Sequence, residues 1–236
     1  MFIKKQKYIE KKLILNNLSA KIKYETKYLS QYLSFTKELT DKKNKQLEEQ
    51  MYEDSQTDPE SEHILQDLYI KEKDALLSYY HHSAIVLVYT IFESIMSDIC
   101  NEVQNFTNSY FTHNCLSGNN IIANSKKYLQ LTTDLQFSLI EGDWAKIGKY
   151  QKLRNIIVHQ NSFFTGDEQK NRLKNDFKSI VISNDEKRFH ILEDNLVHDF
   201  IALVNQFVQK IISHLESVTF LVEQKNIELE DDFIPF

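Results

Sequence analysis

The sequence predicts an all-α protein carrying one small β-hairpin, and three observations lead there. Four Gly and two Pro in 236 residues leave too little turn punctuation for an all-β or α/β chain. Long segments repeat apolar residues at helical spacing. The last of them, about Glu193 to Gln224, places Leu196, Val197, Phe200, Ile201, Leu203, Val204, Phe207, Val208, Ile211 and Ile212 as the wall of a helical bundle would.

Taken in order, residues 4 to 50 read as one long helix or a helical hairpin. Residues 1 to 45 hold twelve Lys against four acidic residues, whereas 46 to 62 hold seven acidic residues and neither Lys nor Arg. The break is expected near Asp58-Pro59, because proline cannot continue a helix. A second helix runs from about His63 to Phe106 without interruption. TNSYFTHNCLSGNN then has the composition of a loop, and SKKYLQLTTDLQF returns to a short amphipathic helix. A third long helix is expected from Asp143, with that carboxylate as its N-cap. FKSIVISNDEKRFHIL reads as two alternating apolar runs turning at Asn184-Asp185, which is a β-hairpin. We therefore divide the chain into a lysine-rich helical extension with an acidic linker (1–60), a helical bundle (61–225) and an acidic, apolar tail (226–236).

Composition narrows the function classes. A net charge of −6 and a pI near 5.8 argue against a protein that coats nucleic acid non-specifically, since displacing counterions takes a basic excess. Cys100 and Cys115 are too few for a disulfide framework and no secretory leader opens the chain, so the expected compartment is the cytoplasm. The longest apolar run, Ala84 to Phe92, is too short to span a bilayer and reads as a core helix, with no membrane partner. Gly-rich phosphate loops, HExxH, CxxC and nucleophile-elbow patterns are absent from the sequence. ATPase, zinc hydrolase and serine hydrolase chemistry have no support, and neither metal nor cofactor is expected.

The segment LRNIIVHQNS, residues 153 to 162, carries the chemistry. On an ideal helix Asn155 and His159 stand one above the other at i, i+4, with Arg154 about 100° to one side. An arginine bordering a core stripe needs an anionic partner, a buried carboxylate or a phosphate. A histidine beside it can take or give a proton near neutral pH. Together they supply what cleavage of an RNA phosphodiester requires: an acid or base and a fixed cation for the developing charge.

Arg154, then Asn-Ile-Ile-Val, then His159, in a helix that follows the long apolar YYHHSAIVLVYTIFESIM, resembles the signature of the HEPN superfamily: Arg, four to six residues of which the first is usually polar, then His. The resemblance covers roughly residues 65 to 220, although only the short motif is specific. It implies an up-and-down helical bundle that dimerises, bringing two Arg-His pairs together in a composite cleft between subunits. It further implies a metal-independent endoribonuclease that leaves 2',3'-cyclic phosphate ends and acts as a toxin or in anti-phage defence, with RNA as substrate and an antitoxin or regulatory protein as a further partner class. Arg154 would then bind the scissile phosphate, His159 would be the acid or base, and Asn155 would orient one of them. HEPN toxins paired with a nucleotidyltransferase often carry a tyrosine two residues after the histidine, where this chain has Asn161. That departure puts regulation by nucleotidylation in doubt.

Around the motif, Glu93 is the carboxylate we expect against Arg154, and His82 returns to nearly the face of Glu93, though a satisfied core histidine is the commoner outcome. Lys146, Lys149 and Lys152 on the motif helix, with Lys126 and Lys127 on the helix before it, either guide an RNA backbone or only keep their helices solvated. Tyr24, Tyr28 and Tyr32 form an aromatic stripe that serves packing or, among lysines, base stacking. Asp194 and His198 at i, i+4 have a spacing that can hold a metal, although an exposed helix pair is more usual. The rival reading is a catalytically silent dimerisation or partner-binding module in which Arg154 and His159 form a buried polar pair.

Overall fold

A computed structural model describes residues 2–107, 109–118, 120–133 and 135–217, with the first nine and Pro59 described by backbone alone. The chain is mostly helical, 82% by residue, with six helices and a two-stranded hairpin among the described residues. The helices are α1 (Phe2–Thr57), α2 (Glu62–Thr107), α3 (Ile121–Thr132), α4 (Glu141–Gln160), α5 (Asp167–Asp176) and α6 (Asn195–Ser217), and the strands are β1 (Ile180–Ile182) and β2 (Phe189–Ile191). The expected tail, 226–236, lies outside the described residues, as does the end of the last helix beyond Ser217.

α1 is one uninterrupted helix, and it stops where the sequence places the break. Pro59 opens a short 3-10 turn with Glu60 and Ser61, and the Ser61 N–H bonds to the Asp58 carbonyl at 3.2 Å. Among the described side chains from residue 34 to residue 76 only Asn44 is buried. The two helices are joined near Thr57 to Glu62, and the Tyr80 hydroxyl donates to the Leu33 carbonyl at 3.0 Å. The segment between those two residues is therefore a two-helix arm with little core of its own.

The chain separates into two compact units whose boundaries fall along the helices. The first comprises, of the described residues, those within 2–24, 91–144 and 205–217. Its core gathers Leu15, Leu18 and Ile22 of α1, Phe92, Met96 and Ile99 of α2, Tyr128 and Leu129 of α3, and Phe207, Val208, Ile211 and Leu215 of α6. Phe92 meets Phe207 edge-on at 5.8 Å, an arrangement aromatic pairs favour. The second unit comprises residues 25–90 and 145–204. There Tyr150 stacks on Phe200 with ring centroids 4.1 Å apart and meets Phe177 edge-on at 5.0 Å. Its hydroxyl donates to the Leu196 carbonyl at 3.2 Å, which satisfies the one polar atom this buried cluster contains.

Three points of the sequence reading need correction. α4 begins at Glu141, directly out of a 3-10 turn over Phe137–Ile140, so Asp143 lies inside the first turn and is no cap. Its carboxylate instead holds the Lys210 ammonium of α6 at 2.6 Å. α3 starts earlier than its apolar pattern suggested, because the Asn120 side chain caps it by accepting from the Ala123 N–H at 3.0 Å. α5 was not foreseen at all: DEQKNRLKND buries only Leu173, so the stretch offers no apolar period to read. Separately, one 18-residue window of α2 has a mean hydropathy of 1.5, long and apolar enough by composition to cross a bilayer, and half of it is buried within the chain.

The hairpin forms as expected. Ile180 pairs with Ile191, Val181 with His190 and Ile182 with Phe189, antiparallel. Ile180, Phe189 and Ile191 face inward. Replacing the ring that Tyr150 stacks on tests this packing: Phe200→Ala should cost about 3–5 kcal/mol, read as a lower urea midpoint at unchanged slope. A loss below about 1 kcal/mol would contradict the described core.

Candidate active site

α4 presents Lys152, Asn155, Ile156, His159 and Gln160 along one wall of a cavity of about 520 Å³, and α5 presents Glu168, Gln169, Arg172, Leu173 and Asp176 along the other. Thr165 and Gly166 join the two walls. The volume is in the range of ligand sites, roughly 300–1,000 Å³. Leu153 is wholly buried and Ile156 nearly so, which fixes the rotation of α4. Asn155 is consequently half-buried and His159 exposed, both on the cavity side.

The way α4 ends holds this wall in place. Asn161 and Ser162 take left-handed conformations, with φ of 48° and 67°. Asparagine tolerates that region, but serine adopts it at a cost. The surroundings fix it: the Ser162 N–H bonds to the Ile156 carbonyl at 3.2 Å, and the Ser162 carbonyl accepts from the Phe189 N–H of β2 at 3.2 Å. Its hydroxyl lies 3.0 Å from His82 Nδ1.

Arg154 departs from the arrangement the motif suggested. Its guanidinium lies 5.2 Å from the centroid of the Tyr89 ring, and Nη1 donates to Asn155 Oδ1 at 3.1 Å. Nε is buried without a hydrogen-bond partner among the described residues. Arg154 is not one of the cavity-lining side chains. A cation over an aromatic face is electrostatically favoured, and the contact turns the charge toward α2 within its own unit. Glu93 is half-buried on α2.

The remaining expected residues scatter. Lys152 lines the cavity. Lys149 is paired with Asp176 of α5 at 2.9 Å, which straps the two walls together, and Lys146 is exposed. Lys126 and Lys127 lie in the first unit. Lys126 sits 4.5 Å from the Trp144 ring centroid and 3.4 Å from the Glu141 carboxylate, and Lys127 is exposed. Tyr24, Tyr28 and Tyr32 are about half exposed, at 58%, 48% and 54%, so core burial does not account for the stripe. Asp194 is engaged by the neighbour of His82: His81 Nδ1 lies 2.8 Å from the Ile191 carbonyl oxygen and Nε2 lies 2.8 Å from Asp194 Oδ1. Among the described residues no group of three or more His, Cys, Asp or Glu side chains is placed to hold a metal ion.

Sequence reasoning missed the whole α5 wall. Its one legible signal is that Arg172 is among only three arginines in the chain.

His82 is a buried, fully partnered histidine. Besides Ser162, its Nε2 lies 3.2 Å from the Ser78 hydroxyl. Burial first, and then the charges of His190, His81 and Arg188, push its pKa down to about 4. Between about pH 4 and the ordinary histidine value near 6.5 the unfolded chain holds a proton that the folded chain refuses. Stability from this group is therefore full above about 6.5 and is lost as pH falls toward 4, by about 3 kcal/mol in total. His82→Gln keeps an amide that can bond both hydroxyls, so it should flatten the fall in urea midpoint between pH 7 and pH 5. An unchanged fall would place the acid sensitivity elsewhere.

No protein-family model, no curated protein and no solved structure matches this chain, so the reading of the site rests on the residues that build it.

Proposed function

We propose that this chain is a metal-independent endoribonuclease of HEPN type, a cytoplasmic homodimer with a composite active site that acts as a toxin or anti-phage effector. The observation that carries the reading is the joint placement of Asn155 and His159 on one wall of a cavity large enough for a nucleotide, with His159 exposed to it. The motif thus offers its proton-transfer group to a site with room for substrate. An up-and-down bundle of HEPN type is the fold proposed to carry it, in keeping with the mostly helical chain.

In the reaction a base takes the proton from the ribose 2'-hydroxyl as that oxygen attacks phosphorus. The bond from phosphorus to the 5'-oxygen breaks, and an acid protonates the leaving oxygen. The products are a 2',3'-cyclic phosphate and a 5'-hydroxyl. His159 serves as the acid or base, and a second copy of the chain across a two-fold axis supplies the complementary group. Arg154 acts as a positioning residue, since it donates to the Asn155 oxygen at 3.1 Å and so fixes the amide next to His159.

One observation favours a second reading, a silent dimerisation or partner-binding module. Arg154 spends its charge on Tyr89 and Asn155, as a structural polar pair would. The two readings separate on total cellular RNA in EDTA. Wild type should cleave and leave cyclic-phosphate ends, and His159→Ala should lose roughly 10²–10⁴-fold in rate while light scattering shows the same dimer. Arg154→Ala should lower kcat at nearly constant KM, with partial rescue by Arg154→Lys. A folded wild type that cuts no RNA, or His159→Ala cutting at the wild-type rate, would discard the nuclease in favour of the module.

A further inference from the structure

A phosphodiester in the cavity needs a cation, and the motif arginine does not line it. Arg154 faces Tyr89, its Nη1 is engaged by Asn155 and its Nε is enclosed. The cationic side chains that do line the cavity are Lys152 on the α4 wall and Arg172 on the α5 wall. Arg172 is the better suited of the two, because a planar guanidinium grips two phosphate oxygens at once while an ammonium offers a single point charge.

Two features make Arg172 available and fix where it stands. Its Nη2 bonds to Glu168 Oε1 at 2.8 Å, one turn earlier on α5, and both side chains are mostly exposed, at 56% and 89%. An exposed pair of this kind contributes little and is easily exchanged. α5 itself is anchored: Lys170 bonds Glu186 of the hairpin turn at 2.7 Å, and Gln169 accepts from the Thr165 N–H at 2.8 Å. Arg172 thus projects from a fixed helix while its present partner is replaceable.

We propose that Arg172 is the phosphate-binding residue of this cavity, and that Glu168 is a built-in competitor which an RNA phosphodiester displaces. The inference rests on the reading of the cavity as an RNA site, and it adds a residue outside the Arg-His motif. The acidic lining then has a use: with Glu168 and Asp176 opposing Lys152 and Arg172, isolated anions gain little, and a strand held at several points is favoured over free phosphate.

The test uses a labelled single-stranded 2'-O-methyl oligoribonucleotide, which has the phosphodiesters but no hydroxyl able to attack them. Its binding to full-length protein is measured at several salt concentrations. Arg172→Ala should weaken binding roughly tenfold and lower the salt slope by about 0.7, the loss of one phosphate contact. Glu168→Gln should tighten it several-fold, and Lys174→Ala, on the same helix but not lining the cavity, should bind as wild type does. Circular dichroism melts confirm that all three remain folded. Wild-type affinity in Arg172→Ala, weaker binding in Glu168→Gln, equal loss in Lys174→Ala, or no binding by wild type would each overturn the proposal. Cleavage assays run in parallel keep the two readings apart. If wild type binds through Arg172 but never cuts, the nuclease fails and the binding site stands; if it cuts and Arg172→Ala cuts and binds equally well, only the Arg172 proposal falls.

Discussion

The left-handed turn at Asn161 and Ser162 is the constraint on which the site depends. A helix can end in many ways, but here the chain must leave α4, pair with β2 and enter α5 within six residues. Positive φ at two successive non-glycine residues is unfavourable by itself. It persists because every polar group of Ser162 has a partner: N–H to Ile156, carbonyl to Phe189 and hydroxyl to His82. Loosening any one of these would let the last turn of α4, and His159 with it, drift relative to α5.

Within each of its units the protein disposes of its cations sparingly. Lys149 is spent on Asp176, Lys126 on Trp144 and Glu141, Lys210 on Asp143 and Arg154 on Tyr89 and Asn155. Such contacts compete directly with any anionic ligand, since one guanidinium or ammonium cannot serve both fully. The positive charge left facing the cavity is small and local. That agrees with a net charge of −6 and with a ligand bound at one place and not along a broad basic face.

How much of this was legible depended on how each element gains its stability. α2 and α6 bury continuous apolar stripes, so their periodicity gave them away, and the hairpin announced itself through alternating Ile, Val and Phe around Asn184-Asp185. Pro59 marked the end of α1 because its missing N–H acts locally. α5 was invisible because it buries only Leu173, and its side-chain ties to the rest of the chain are polar ones such as Lys170 with Glu186. The Asp143 cap failed for a related reason: a 3-10 turn supplied the helix start, and its carboxylate went to Lys210, a residue far along the chain. Spacing put Asn155 and His159 on one face, and they do share a wall. It could not say that Arg154, one residue away, would turn to an aromatic ring, since that depends on where Tyr89 stands in the folded chain.

The two-helix arm between Leu33 and Tyr80 has a different consequence. A stretch in which, from residue 34 to residue 76, Asn44 alone is buried among the described side chains, its Oδ1 without a partner among the described residues, contributes little to the cooperative core. Few buried contacts are what lets a segment open locally while the rest of its unit stays folded. Leu39, Tyr52, Ile64 and Leu68 along it are all more than half exposed. In the language of local unfolding, so thinly packed an arm has the makings of a foldon of its own, and substitutions along its exposed faces remove few core contacts.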